Sequence, residues 1–282
     1  MMGVCALPKR INGPLPRRRG ARILAAIMCM LIMAAAVLGS AAVYPAATGS
    51  TVYKKNGTVI DASNASDGYI IVHHKESKKR LKLRIIKDET YTYDLNSNGR
   101  DEVFPLQMGS GKYEVRVYEN VSGKKYSQAS SVKFSVDLND ENAAFLCPSQ
   151  YVLYTADSPC VKDAEALCAG ASSARDKFEA VSEALTKRMQ YDYIAALTVT
   201  SGYLPDIDAA YAGRMGICFD MAAVTCAMLR SQGVPAKLVI GYADKQYHAW
   251  NEIWLDGKWE MYDLTMAITR KKVKNYSVER FY

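Results

Sequence analysis

Polar and apolar residues alternate along residues 69–138. The runs GYIIVHH, LKLRII, YTYDL, KYEVRVYE and SVKFSVDL each carry a period of two. That period marks strands with one buried face. Tyr113, Val115 and Val117 share a face in the fourth run, and Val132, Phe134 and Val136 share one in the last. Turn residues separate the runs at Asn98-Gly99, Gly109 to Gly111 and Ser122-Gly123. The pattern predicts a small β-sandwich over 67–138. Pro45 to Ser50 is small and polar, and 43–66 reads as a linker.

Past Leu138 the period changes. Residues 139–156 read as a connector. DSPCVKDAEALCAG predicts a helix with Asp157 or Ser158 as cap and Pro159 in the first turn. SARDKFEAVSEALTKRMQY predicts a longer one, with Phe178, Val181, Leu185 and Met189 on one face. Residues 192–216 show no period. A helix is predicted from Cys218 to Gln232, ended by Gly233 and Pro235. Its apolar stripe is Phe219, Ala222, Cys226 and Leu229. Three strands follow, AKLVIGYA, YHAWNEIWL and KWEMYDLT, the last two joined by the hairpin turn Asp256-Gly257. The fold class is therefore α+β, with a β-sandwich first and a mixed domain over 157–282.

The first 42 residues stand apart. They hold Lys9, Arg10, Arg17, Arg18, Arg19 and Arg22 and no acid, then an apolar run from Ile23 to Leu38, then Gly39, Ser40, Ala41 and Ala42. A basic front, an apolar middle and a small-residue end is the layout of a secretory signal peptide. Cleavage is expected after Ala42, and an uncleaved membrane anchor is the alternative. The apolar run is short for a membrane span. Either way the protein is expected to be secreted or at the cell surface. The net charge of +7 for the whole chain falls to about +1 without this leader. The basic balance therefore belongs to the leader, and no basic stripe with interleaved aromatics points to nucleic acid. Cys147, Cys160, Cys168, Cys218 and Cys226 remain in the mature chain, an odd number that leaves at least one thiol without an internal partner. Cys160 and Cys168 would lie about 12 Å apart on one helix, too far to bridge. Either is a candidate partner for Cys147, and a bridge there is left open.

One cysteine has a chemical setting. Cys218 follows GRMGI and opens a helix, where free N–H groups favour an anion. A thiol attacks an amide as its thiolate, and an imidazole is the usual second aid. The chain has three histidines, His73, His74 and His248. The first two sit on a strand of the sandwich. His248 lies in YHAWNEIW, on a strand soon after the Cys218 helix. The hairpin returns to Asp263, an acid able to accept the other ring N–H of His248 and hold its tautomer. Nucleophile, base and orienting acid thus follow in chain order as Cys218, His248 and Asp263.

The span from about Tyr191 to Thr265 resembles the transglutaminase-like superfamily of papain-like thiol enzymes. The residues that carry the resemblance are Gly216-Ile217-Cys218-Phe219-Asp220, AMLRSQGVPAKLVIGY, His248-Ala249-Trp250-Asn251-Glu252, and Trp259 leading to Asp263-Leu264-Thr265. The resemblance implies a Cys–His–Asp triad on Cys218, His248 and Asp263, and a nucleophile helix packed on an antiparallel sheet. It implies acyl transfer from amides or peptide bonds of a protein or peptide substrate through a thioester. Hydrolysis is favoured over transamidation, since water is the default acceptor. Gly216 is expected to let the backbone approach a substrate, Trp250 to join the cleft from the His248 strand face, and Tyr193 to stand at the substrate side. A second oxyanion donor is sought among Gln190 to Tyr193. No cofactor is called for.

Other readings stay open. The chain is alternatively a non-catalytic adhesion or wall-binding protein that retains the three residues, or a thiol redox sensor. The β-sandwich is a place for a cell-wall or surface ligand. Asp94, Asn96, Asn98 and Gly99 resemble the start of a calcium loop, but the twelfth position is Pro105 and flanking helices are missing, so an Asn-Gly turn is the expectation. No Cys-x-x-Cys pair suggests a metal.

Overall fold

A computed structural model describes residues 44–282. The leader expected over 1–42 lies outside the described residues. The first strand pair was hidden in the expected linker. β1 (Val52–Lys55) and β2 (Thr58–Asp61) form a hairpin around Asn56-Gly57, both at positive φ. These are the residue types that a two-residue hairpin turn requires. The strands are four residues each, too short for their alternation to stand out from the small residues before them.

β3 (Tyr69–His74), β4 (Leu81–Ile86), β5 (Thr90–Leu95), β6 (Glu102–Pro105), β7 (Gly111–Ser122) and β8 (Lys125–Val136) complete the N-terminal half. They make two four-stranded antiparallel sheets, in the orders β1-β2-β3-β6 and β5-β4-β7-β8. Alternation does what the sequence reading expects: Leu81, Leu83 and Ile85 of β4 are buried, while Lys82 and Arg84 point outward. The sheets meet through aromatic pairs, Tyr93 against Phe104 at 4.9 Å and Tyr53 against Phe134 at 6.0 Å. β6 was not foreseen, because the DLNSNGR loop before it conceals the strand. That loop is held by its own side chains: Asn96 Oδ1 accepts from the Asn98 and Arg100 N–H groups, and Gly99 has φ 73°.

Helices Pro159–Cys168 and Ala174–Arg188 follow, the second closed at its start by a capping box between Ser173 and Asp176. Residues 192–216, without a period in the sequence, form two short helices, Tyr193–Thr198 and Ile207–Gly213. Each is capped by an Asp side chain, Asp192 and Asp206. They are framed by β9 (Gln190–Tyr191) and β10 (Met215–Gly216), which pair in parallel. Helix Cys218–Arg230 is buried at every residue from Asp220 to Arg230. It therefore shows a weaker stripe than a surface helix, since apolar neighbours surround it. It packs on β11 (Ala236–Ala243) and β12 (Gln246–Leu255) and against the two preceding long helices. Gly233, at φ 72°, turns the chain out of the helix.

β11, β12, β13 (Lys258–Tyr262) and β14 (Tyr276–Phe281) form an antiparallel sheet in the order β13-β12-β11-β14. The β12–β13 turn uses Asp256 and Gly257, both at positive φ. Helix Leu264–Thr269 and β14 were not foreseen. The helix is only six residues long, and β14 is largely exposed. The fold is α+β, and its two halves share one continuous core. Tyr282 joins them, its ring lying 5.6 Å from Tyr91, 5.8 Å from Tyr93 and 4.6 Å from Tyr151.

All five cysteines among the described residues are free thiols. The open bridge to Cys147 is not made: its Sγ faces the Ala144 carbonyl at 3.8 Å in a fully buried pocket. Burial raises the thiol pKa of Cys147 and Cys226 to about 11 and of Cys160 to about 12. No helix among the described residues is long and apolar enough to cross a membrane.

Candidate active site

Cys218 is the first residue of its helix and is half-buried, unlike the other four thiols. The helix start is set by Asp220, whose carboxylate accepts from the Ile217 N–H at 2.9 Å and from the Tyr203 hydroxyl at 2.6 Å. Burial raises the Asp220 pKa against the pull of those two hydrogen bonds. This acid holds the helix end and the 199–204 loop together.

Gly216 is needed for that arrangement. A Cβ there would come within 2.6 Å of the Asp220 Cβ. The glycine expected to admit a substrate instead admits the capping acid. Parallel pairing of Gly216 with Tyr191 lays the Tyr191 side chain beside the approach to Cys218.

His248 lies on β12, 6% exposed. Its Nε2–H donates to Asp263 Oδ2 at 2.8 Å. That leaves Nδ1 free of the carboxylate, and Cys218 lines the same cleft as the ring, near enough to favour its charged form. Burial opposes the charged ring, yet the hydrogen bonds with Asp263 and Cys218 outweigh it, and the His248 pKa is pushed up to about 9. The structure therefore brings Cys218, His248 and Asp263 together, with the imidazole between the other two.

Asp263 does more than the sequence suggested. It sits one residue past β13 and caps helix Leu264–Thr269, with Oδ1 accepting from the Met266 N–H at 3.0 Å. Oδ2 also accepts from the Tyr276 hydroxyl at 2.9 Å. Tyr276 was missed because it lies on the exposed edge strand β14, which the sequence reading did not identify. The alternation of Tyr276 and Val278 was the available signal.

The cleft has a volume of about 590 Å³. Five tyrosines are among its lining residues: Tyr151, Tyr191, Tyr203, Tyr247 and Tyr282. Burial and the neighbouring Cys218 push the Tyr191 hydroxyl up to about 12. Of the stretch Gln190 to Tyr193, Tyr191 alone among the described lining residues reaches this space. Tyr193 does not: it is 56% exposed, edge-on to Tyr191, because the Asp192 cap turns it outward at the start of a helix. Trp250 does not line the cleft either. It is 2% exposed and lies behind the histidine, ring parallel to ring at 6.2 Å, with Tyr276 edge-on to it at 5.1 Å. It shares a strand face with His248, as expected, but that face is packed at this depth.

Residues 162–264 match the family model described as the transglutaminase-like superfamily. The chain carries a transglutaminase-like domain. A curated relative, an uncharacterised protein of Mycobacterium leprae, is 33% identical over 97 residues, which are 30% of this chain and 33% of that protein. The chain thus spans about a third of the length of the curated relative it matches. Among solved structures, a candidate cysteine protease from Cytophaga hutchinsonii covers 76% of this chain and 83% of its own, at 18% identity and a TM-score of 0.38. A TGase covers 41% of this chain and 32% of its own, at 25% identity and a TM-score of 0.34. The assignment rests on the family model. The transglutaminase-like domain contains Cys218, His248 and Asp263 within the matched residues.

Proposed function

We propose that the protein is an exported thiol enzyme that cleaves amide or peptide bonds of proteins or peptides through a thioester on Cys218. The observation that carries this reading is the buried His248, hydrogen-bonded to Asp263 on one side and facing Cys218 on the other. In this reading the Cys218 thiol gives its proton to His248 Nδ1 and the sulfur attacks the carbonyl carbon. The backbone N–H of Cys218, at the helix start, and the Tyr191 hydroxyl on the cleft wall stabilise the oxyanion. His248 then returns the proton to the departing nitrogen, the C–N bond breaks, and an amine leaves. Water enters, His248 takes its proton, the C–S bond breaks, and a carboxylic acid is released.

Asp263 keeps the ring oriented and its charge compensated, while Trp250 backs it and Tyr276 fixes the carboxylate. Hydrolysis is favoured over transfer to an amine. The cleft mouth is bordered by the exposed ring of Tyr247, and an open mouth admits water as the abundant acceptor. Export rests on the leader alone.

The test is alkylation followed by turnover. Iodoacetamide at pH 6 is expected to modify Cys218 and spare buried Cys226, with the preference lost in His248→Ala. A peptide library offered with a tagged amine separates hydrolysis, deamidation and amine incorporation by mass. Equal modification of Cys218 and Cys226 overturns the enzymatic reading.

A further inference from the structure

A second cavity, of about 860 Å³, lies on the outer face of the β5-β4-β7-β8 sheet. Asp94, Ser201 and Gly202 line both this cavity and the catalytic cleft, so the two spaces meet at these residues. Strand alternation sets its chemistry. β4 buries Leu81, Leu83 and Ile85 and turns Lys82 and Arg84 outward. Arg80 precedes the same strand, and Lys124 stands in the β7–β8 turn, and all four cations line the groove.

Among the described lining residues Asp94 is the one carboxylate, and Lys82 Nζ holds it at 2.6 Å. The groove therefore carries an excess of three positive charges. Among the described residues the Arg80 guanidinium donates only to the Gly123 carbonyl, and Arg84 lies over the Tyr118 ring at 5.2 Å. Neither Arg84 nor Lys124 is in an ion pair among the described residues. By contrast the cleft beyond Asp94 is lined by five tyrosines, and the charge of His248 there is compensated by Asp263. Charge discrimination in the joined groove falls on the sandwich side.

We propose that this groove binds an acidic, Asp- or Glu-rich segment of the protein substrate whose amide is presented to Cys218. The proposal rests on the thiol-enzyme reading above. Concave surfaces of one charge sign concentrate partners of the opposite sign. Spacing favours a peptide: same-face residues such as Lys82 and Arg84 recur about every 6.8 Å along a strand, the repeat of alternate carboxylates on an extended chain.

Binding is read by fluorescence anisotropy in the Cys218→Ala chain, with labelled octaglutamate and octaglutamine. Octaglutamate is expected to bind at least tenfold more tightly, to weaken with added NaCl, and to lose about tenfold in the Arg84→Glu/Lys124→Glu chain. Equal binding of the two peptides overturns the proposal, as does indifference to the double reversal. Tighter binding of a poly(glycerol phosphate) than of octaglutamate overturns the peptide assignment. The link to the cleft is read in the Cys218 chain with chloroacetyl peptides carrying four glutamates or four glutamines. The glutamate probe is expected to label Cys218 faster, and the ratio to approach one after the double reversal. Equal labelling in the unmodified chain overturns the link. No labelling by either probe, with binding intact, counts against the thiol-enzyme reading rather than the groove.

Discussion

His74 in the sandwich and His248 in the cleft are both buried strand histidines with a carboxylate nearby, and their protons are held in opposite ways. His74 is 1% exposed. Its Nδ1 is hydrogen-bonded with the Thr58 hydroxyl at 2.8 Å, and its Nε2 is 3.5 Å from Glu119. Glu119 is already paired with Lys79 at 2.6 Å. Burial wins there and lowers the His74 pKa, with Glu119 opposing. At His248 the carboxylate is in direct contact at 2.8 Å, Cys218 adds to it, and the ring is pushed up to about 9. Burial is similar in the two regions. The difference comes from a short hydrogen bond to a carboxylate that no lysine or arginine among the described residues neutralises. A buried strand histidine holds its proton or gives it up according to that one contact.

The contrast is broken most severely by removing the reacting groups. Cys218→Ala and His248→Ala are each expected to lower amide turnover by about 10³-fold or more. His74→Ala is expected to leave the alkylation rate of Cys218 near that of the unmodified protein while lowering stability by about 1–3 kcal/mol, read by urea unfolding. If both histidine variants slow alkylation alike, the two regions are not distinct. Asp263→Asn comes next. It preserves shape but reverses the hydrogen-bond preference of the ring, and a loss of about 10²- to 10⁴-fold in kcat is expected.

pH sharpens the comparison further. On the proposed mechanism amide turnover needs His248 protonated to release the amine, so kcat/KM is expected to fall as pH rises through about 9. The two histidines also act on stability with opposite signs. The His248 pKa is above its unfolded value of about 6.5, so its contribution is full below that pH and is lost as pH rises through about 9. The His74 pKa is below its unfolded value, so its contribution is full above about 6.5 and is lost as pH falls. Unfolding of His74→Gln is expected to show a shallower loss between pH 7 and 5 than the unmodified protein. An unchanged acid slope would show that His74 is not the group responsible. The smallest effect is expected from Tyr276→Phe. Losing one hydrogen bond to Asp263 Oδ2 should reduce kcat a few-fold and raise the alkaline limb slightly, since that oxygen then serves His248 alone.

Much of the site was legible because its local signals are strong. Cys218 at a helix start, His248 on the next hairpin and Asp263 at its return can each be read from short stretches, and the fold sets Cys218 and His248 on one cleft with Asp263 bonded to the ring. The residues read for substrate binding fared differently. Gly216 answers to Asp220, Trp250 backs the histidine, and Tyr193 points outward. Tyr191, two residues before Tyr193, takes the cleft wall because β9 pairs with β10. Such a choice between neighbours depends on a parallel pairing of two residues, which leaves no periodic trace.

From its residues alone this chain reveals which faces of its strands are buried, where its helices start and stop, and which cysteine, histidine and aspartate are candidates to be read together. Those features depend on neighbours along the chain, through strand period, capping and turn geometry. Tertiary structure decides the rest: that Tyr276 steadies Asp263, that Tyr282 joins the two halves in one core, and that a cationic sheet face opens into the cleft. These contacts join residues distant in sequence. A buried face reports that something covers it, and only packing determines what that something is.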